Sequence, residues 1–383
     1  MNYSEIVSPA YIFDSSVLRN RIKHIKSSIG ENIALVYAVK ANPFIVREAD
    51  DLVDRFEVCS EGECNICLNL GISPDKLVIS GVNKSEPFID KLFSEGLCTG
   101  TFTVESVSQY RLLESLCRKY GTEIKVLLRL TSGNQFGITE EEITEIIKAH
   151  GDLISISGIQ YFSGTQKTSL KKLKAEIEYL DSFICSLSSF GFSPSEIEYG
   201  GGFPVAYFEG EEFNEHEYFE TFSSLVSGMN SKCHFKLELG RSIAASCGLY
   251  VTRVADVKSN KNGHFAIVDG GMNHIVYYGQ MMAMKKPLLD VIPERLCEDG
   301  QSFTVCGSLC SVNDILLKQL PYSLEIGDIL VFKNTGAYCM TEGIAAFLSR
   351  ALPSVYIRDT SGKLHLVRDI TETYPLNTPN YNP

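Results

Sequence analysis

No window of the sequence approaches the roughly 20 apolar residues needed to cross a bilayer. The start, Met1-Asn2-Tyr3-Ser4-Glu5, lacks a basic region followed by an apolar segment, so a cytoplasmic protein is expected rather than an exported one. Positive charge is scarce: 35 lysines and arginines stand against 47 acidic residues, a formal net charge of -12. That balance argues against nucleic acid or an anionic membrane as the main partner, since both need a positive surface. A disulfide framework is missing too. Twelve cysteines are scattered over 383 residues, and reduced thiols are the expectation. Cys64-Asn65-Ile66-Cys67 has the C-x-x-C form but no matching second pair. No metal is therefore expected there, and buried small side chains on a helix account for the pattern. Internal repeats and low-complexity blocks are absent as well.

What the chain does have is a hydrophobic content of 44% and length enough for one large domain or two. After a short strand at Ala10 to Phe13, brief apolar runs alternate with longer amphipathic stretches. Eight runs are predicted as strands: Ala34 to Lys40, Phe56 to Ser60, Leu77 to Gly81, Gly100 to Val104, Lys125 to Leu130, Ile156 to Phe162, Ile197 to Gly200 and Phe235 to Leu239. Between them lie helix-length segments such as Glu61 to Leu70, Glu105 to Tyr120, Glu140 to Ala149 and Leu170 to Phe190. Eight strand-helix units predict an α/β fold, a (β/α)8 TIM-type barrel, with an open doubly wound sheet as the competing architecture. Past Arg241 the runs Leu249 to Val257, Phe265 to Asp269, Phe303 to Cys306, Ile329 to Lys333 and Val355 to Arg358 predict a C-terminal, mostly β domain. The expected division is 1–27, an N-terminal strand packing with the β domain; 28–245, the barrel; and 246–383, the β domain. Asn377 to Pro383 is expected to be unstructured.

Tyr37-Ala38-Val39-Lys40-Ala41-Asn42-Pro43 is the stretch that organises the chemistry. Lys40 ends an apolar run that Asn42-Pro43 then stops. Alone, it reads as a lysine snorkelling at a strand end; desolvated, its amine becomes a nucleophile toward a carbonyl. Gly200-Gly201-Gly202-Phe203-Pro204 follows the seventh strand, where barrel loops commonly receive phosphate, and three glycines let backbone N–H groups converge on an anion. Glu238 and Arg241 end the eighth strand. They are a plain ion pair or, at the same rim as Lys40, a carboxylate for a ring nitrogen and a guanidinium for a phosphate. Amine, phosphate cradle and carboxylate together describe pyridoxal 5'-phosphate, PLP.

The ordered set Tyr37 to Asn42, Ser60-Glu61-Gly62-Glu63, Gly164-Thr165-Gln166, Gly200 to Pro204, Glu238 to Arg241, Asp269-Gly270-Gly271-Met272, Cys310 with Asp314, and Thr335-Gly336-Ala337-Tyr338 resembles the PLP-dependent decarboxylases of the alanine-racemase-like fold. That group holds the diaminopimelate, ornithine and arginine decarboxylases. The resemblance implies that Lys40 forms the internal aldimine, that Glu238 meets the pyridine nitrogen, and that Thr165, Gly201, Gly202, Arg241 and Tyr338 hold the phosphate. It further implies that Cys310 returns a proton after carbon dioxide leaves. A homodimer with shared active sites is implied too, because in this family the cysteine segment reaches the partner's site. On its own residues Cys310 reads as a buried core thiol.

Three departures bear on the substrate. Phe162 stands where the family places a histidine on the cofactor ring; it stacks but donates no hydrogen bond. Ser311 follows Cys310 where the familiar enzymes carry an acid, and Asp314 is the acid near enough in sequence to serve a cation instead. Tyr277 lies where diaminopimelate decarboxylases hold an arginine. The expected substrate is an L-amino acid or an amino-acid conjugate, carrier-tethered in some divergent members. A racemase needs a second base, usually tyrosine, where Cys310 stands, and a non-catalytic PLP-binding regulatory homologue does not need the retained cofactor set; both are the alternatives to decarboxylation.

Overall fold

The computed structural model describes residues 3–298 and 300–381, so Met1 and Asn2 of the N-terminal reading and Asn382 and Pro383 of the tail lie outside the described residues. Two compact units emerge. One takes Arg19–Val205 and Phe213–Ile243; the other takes the N-terminal stretch as far as Leu18, Ala206–Glu212 and everything from Ala244 onward.

The first unit is a closed barrel of eight parallel strands, β2 (Ile33–Ala38), β3 (Arg55–Val58), β4 (Leu77–Ile79), β5 (Thr101–Val104), β6 (Ile124–Leu130), β7 (Ile154–Phe162), β8 (Glu196–Gly200) and β9 (His234–Leu239). All eight predicted runs are barrel strands, and closure follows from β2 pairing both β3 and β9. Local chemistry starts the intervening helices. Ser60, Ser106, Ser169 and Asn214 each accept from the backbone N–H three residues on, and Thr139 with Glu142 forms a reciprocal capping box. One face of each strand packs outward on those helices: Tyr199 stacks on Phe222 at 6.2 Å, and Phe203 meets Phe222 at 5.3 Å.

The other face is unusual for such a barrel, whose interior is ordinarily filled by branched apolar side chains. Arg55 on β3 reaches Glu196 on β8 at 3.2 Å. These strands are not neighbours in the closed sheet, so the ion pair crosses the lumen. With side chains alternating along a strand, Arg55 and Glu57, Glu196 and Glu198, and Lys236 and Glu238 all face inward.

The second unit is a nine-stranded sheet. Its strands are β1 (Ala10–Asp14), β10 (Gly248–Asn260), β11 (Gly263–Val268), β12 (Leu289–Ile292), β13 (Phe303–Cys306), β14 (Ile315–Leu320), β15 (Ile329–Phe332), β16 (Ser354–Arg358) and β17 (Leu364–Arg368). Its main path runs β14-β13-β11-β10-β1-β16-β17, with β15 pairing β10 and β12 pairing β15. The N-terminal strand is thus an integral member, antiparallel to β10 and parallel to β16. Ile6, Ala10, Ile12, Val251, Ile329 and Val331 form a core cluster here. In the tail, Tyr374–Asn377 makes a short 3-10 turn.

Candidate active site

Lys40 sits one step beyond where the sequence pattern put it. β2 ends at Ala38, and Val39–Ala41 forms a single 3-10 turn. Asn42 closes that turn: its N–H donates to Val39 O at 3.0 Å and its side-chain oxygen accepts from Phe44 N at 3.0 Å, while Tyr37 Oη donates to Asn42 O at 2.9 Å. So fixed, Lys40 Nζ lies 2.6 Å from Glu57 Oε2, 3.6 Å from Glu238 Oε1 and 3.4 Å from Cys59 Sγ. The lysine side chain keeps 38% exposure while Glu57 and Glu238 keep 4% and 8%, which puts the amine where solvent meets buried carboxyls.

Burial raises both carboxyls, but the outcomes diverge. At Glu57 the Lys40 ammonium and hydrogen bonds involving Lys40, Glu238 and Cys59 overcome burial and bring the group down to about 2. At Glu238 burial is joined by the Glu57 charge, and the group rises to about 8. Glu198 rises to about 8 for the same two reasons, burial and then the charge of Glu238. At neutral pH the rim therefore offers one anion beside the amine and carboxyls that keep their protons.

The anion side of the rim is built from glycine. Gly202 adopts a left-handed φ of +59°, and a Cβ there would run into the carbonyl oxygen of Gly164. A Cβ at Gly201 would lie 2.7 Å from Phe203 and 2.8 Å from Leu237. The loop is held by Gly201 N donating to Glu238 O at 3.2 Å and Lys167 N donating to Gly202 O at 2.9 Å. Arg241, 7% exposed, directs Nε to Thr165 Oγ1 at 3.3 Å. Phe162, the last residue of β7, packs so closely over Gly200 that no side chain fits there. A guanidinium, a hydroxyl and a Cβ-free loop suit a phosphate; the amine suits an aldehyde, and a buried carboxyl suits a protonatable ring nitrogen.

The remaining expected site residues belong to the β unit. Cys310 is exposed on the loop between β13 and β14, not a core thiol, and Ser311 follows it half-buried. Asp314, expected to be available to a substrate, is 2% exposed, and its Oδ1 and Oδ2 accept from Met272 N at 2.7 Å and Leu309 N at 2.8 Å. It holds the loop together. Tyr277, also expected at the substrate, is buried with its hydroxyl donating to Lys333 O at 2.7 Å and its ring 5.6 Å from Tyr207. Its outer side lines a cavity of about 290 Å³ with Met272, Met281, Met282, Asn313 and Leu316. Tyr338 holds a left-handed φ of +63°, a strained conformation for a non-glycine residue, braced where Thr341 N donates to its carbonyl at 2.8 Å.

The sequence model for the pyridoxal-dependent decarboxylase, pyridoxal binding domain, matches residues 15–245. The chain belongs to the pyridoxal-dependent decarboxylases. It is 28% identical to the diaminopimelate decarboxylase of Vibrio cholerae over 87% of this chain and 84% of that protein. It is 26% identical to the L-glutamyl-BtrI acyl-carrier protein decarboxylase of Niallia circulans over 94% and 91% of the two chains. Among solved structures, the diaminopimelate decarboxylase of Helicobacter pylori complexed with L-lysine superposes with a TM-score of 0.84 at 25% identity, covering 98% of this chain and 97% of that one.

In this decarboxylase the sequence pattern did not single out Glu57, Cys59, Gln160 or Glu198. The available signal was an acid inside a short apolar run, Phe56-Glu57-Val58 and Ile197-Glu198-Tyr199. A buried acid needs a partner, but period-two alternation also describes an acid facing water. Only barrel closure distinguishes the two.

Proposed function

We propose that this decarboxylase removes the α-carboxyl group of an amino acid whose side chain ends in a neutral or amide-linked group, conjugates included. Lys40 is read as the residue that carries PLP, with Glu238 at the ring nitrogen and Thr165, Gly201, Gly202, Arg241 and Tyr338 around the phosphate. PLP, when bound, supplies the sink for the electron pair that a departing carboxylate leaves behind. The chain's own work is positioning and proton control. Glu57, ionised and 2.6 Å away, orients the Lys40 amine. Glu238, buried and proton-holding, has a proton for a basic nitrogen and, having given it, a charge to pair with the cation formed. Phe162 offers a flat apolar face in place of a hydrogen-bond donor. Cys310 is assigned the return of a proton to the α-carbon, and its exposure on a loop fits a homodimer in which that loop serves the partner's barrel. A cytoplasmic location completes the reading.

The substrate reading is carried by one observation. Within 307–314 the sequence holds a single carboxylate, Asp314, and both its oxygens are taken by backbone N–H groups. With Ser311 beside Cys310, the loop offers a hydroxyl but no free charge to a distal ammonium, and burying that cation unpaired costs several kcal/mol, roughly two to four decades in rate. The relative named for a glutamyl group on an acyl-carrier protein supports a conjugated substrate.

The test compares kcat/KM for ornithine, lysine and meso-diaminopimelate with glutamine-like, acylated and carrier-linked substrates, scoring carbon dioxide and loss of optical activity separately. The diamino acids are expected to be poor. Turnover of ornithine or diaminopimelate at about 10⁴ M⁻¹s⁻¹ or better overturns the substrate reading, and racemisation without carbon dioxide overturns the reaction.

A further inference from the structure

Gln160 on β7 and Glu198 on β8 have no part in the reading above. They face each other in strand register and are 2% and 0% exposed. Gln160 Nε2 donates to Glu198 Oε1 at 3.1 Å and to Glu238 Oε2 at 3.4 Å. The other oxygen of Glu238, Oε1, is the one 3.6 Å from Lys40 Nζ. A single amide thus ties two carboxyls on neighbouring strands, while Glu238, also hydrogen-bonded to Glu57, keeps its other oxygen turned to the amine. Gln160 Oε1 and Glu198 Oε2 are buried without a hydrogen-bond partner. Apolar side chains of similar volume avoid that cost, so structure alone gives no reason for this pair.

A charge count points the same way. Three carboxyls, Glu57, Glu198 and Glu238, face the cations Lys40 from the turn after β2, Arg55 from β3 and Arg129 from β6. Arg55 already pairs with Glu196 at 3.2 Å and Arg129 with Glu105 at 2.8 Å. Lys84, buried, faces Glu105 and Glu57 as well. Among the described residues, Lys40 is the ammonium in direct contact with this cluster, at 2.6 Å from Glu57 and 3.6 Å from Glu238, and no cation is paired directly with Glu198, so a proton on that carboxyl spares an uncompensated buried charge.

We propose that Gln160 and Glu198 are positioning residues for Glu238: the amide aims its carboxyl, and Glu198 stays neutral so that Glu238 is the carboxyl that exchanges a proton with a bound cofactor's ring nitrogen. The proton leaves the Glu238 hydroxyl oxygen for the nitrogen lone pair, Glu238 becomes a carboxylate beside the cation it created, and Glu198 keeps its own proton. This rests on the PLP reading of Lys40. Burial and the neighbouring carboxylates set Glu198 to lose its proton at about pH 8, which adds a second negative charge beside Glu238 and changes the cofactor's surroundings.

The experiment titrates the cofactor absorption band of the holoenzyme between pH 6 and 10 and measures cofactor dissociation, in the wild type, Glu198→Gln, Glu198→Asp and Gln160→Met. The wild type is expected to show an alkaline step near 8. In the holoenzyme Glu238 has passed its proton to the ring nitrogen, so Glu198 is left to give the step: Glu198→Gln, which cannot ionise, should lose it whatever its rate, and Glu198→Asp should retain it. Gln160→Met should raise the cofactor dissociation constant and lower kcat about tenfold each, with substrate KM little changed. An alkaline step that persists unshifted in Glu198→Gln overturns the inference even if Gln160→Met fails to fold. So does a Gln160→Met protein with wild-type cofactor affinity and kcat. A wild-type protein with no borohydride-reducible band at Lys40 sinks the PLP reading itself, a result separable from the other two.

Discussion

The barrel lumen holds two ionic layers that the same three strands build and that behave oppositely. Two residues apart, β3 supplies Arg55 and Glu57, β8 supplies Glu196 and Glu198, and β9 supplies Lys236 and Glu238. In the lower layer two cations share one carboxylate: Arg55 at 3.2 Å and Lys236 in direct contact with Glu196, which also accepts from Ser157 Oγ at 3.1 Å. Burial there, with repulsion from Arg55 and Lys125, pushes the Lys236 ammonium down to about 7. In the upper layer carboxyls outnumber the ammonium of Lys40, and Glu198 and Glu238 rise to about 8. Burial is common to both layers; the sign of the surplus charge decides which groups surrender their charge. The lower layer lies at the N-terminal ends of the strands and consumes its charges internally. The upper layer, at the C-terminal ends, keeps an amine and proton-bearing carboxyls at the rim where barrel chemistry is done.

The sharpest way to break the contrast is to remove the upper ammonium. Lys40→Ala is expected to abolish both decarboxylation and borohydride-stable attachment of PLP, read by absorption and peptide mass; a reducible attachment at another lysine defeats the assignment. Next in size, Glu238→Gln should retain cofactor but lower kcat by about 10²-fold, because an amide neither gives its proton to the ring nitrogen nor balances the resulting charge. A rate near wild type with the cofactor bound means the upper carboxyl is not used in this way.

The lower layer should answer with stability rather than rate. Lys236→Met removes the surplus cation and leaves Glu196 paired with Arg55, whereas Glu196→Gln leaves two buried cations without their shared carboxylate, and removing such a partner costs on the order of 3 kcal/mol. Urea unfolding measures this. A loss of activity larger than the loss of folded protein would show that the layers are not separate in function.

Much of this arrangement was legible in the chain and some was not. The eight barrel strands were, because each packs one apolar face outward and helix-length segments, five of them started by side-chain caps, separate them. Three strands of the β unit escaped: Leu289–Ile292, Ile315–Leu320 and Leu364–Arg368. β14 and β17 end the sheet's main path, and β12 pairs with β15 alone, so all three are edges. With one neighbour missing, an edge strand need not alternate; Leu364–Arg368 has no buried residue at all. In the site, Lys40 and the glycine run were visible because each violates its surroundings. Gln160 and Glu198 were not, because a polar residue at every second position is what a half-exposed strand looks like. Asp314 misled for a related reason, since sequence places a carboxylate near Ser311 without showing that two backbone N–H groups have claimed it.

The smallest expected effect is also the most direct comparison of the layers, through the pH dependence of folding in cofactor-free protein. Glu198 sits above its ordinary carboxylate value in the fold, at about 8, so between about 4.5 and 8 the folded state binds the extra proton. Stability from this group is complete at low pH and is lost as pH rises through that window. Lys236 is displaced the other way, to about 7 from 10.5, so from about 7 to 10.5 the unfolded state binds the extra proton and stability rises with pH. Each contribution is expected to be about 1–3 kcal/mol, and subtracting the Glu198→Gln or Lys236→Met curve from wild type isolates it from the rest of the chain. The first difference should fall with pH below about 8, and the second should climb above about 7. If both differences slope the same way, the two layers do not carry opposite surpluses and the charge count in the lumen is wrong. If the Glu198 difference is flat while the Lys236 difference climbs, then Glu198 holds no extra proton in the fold, and the role given to the Gln160–Glu198 pair loses its electrostatic basis.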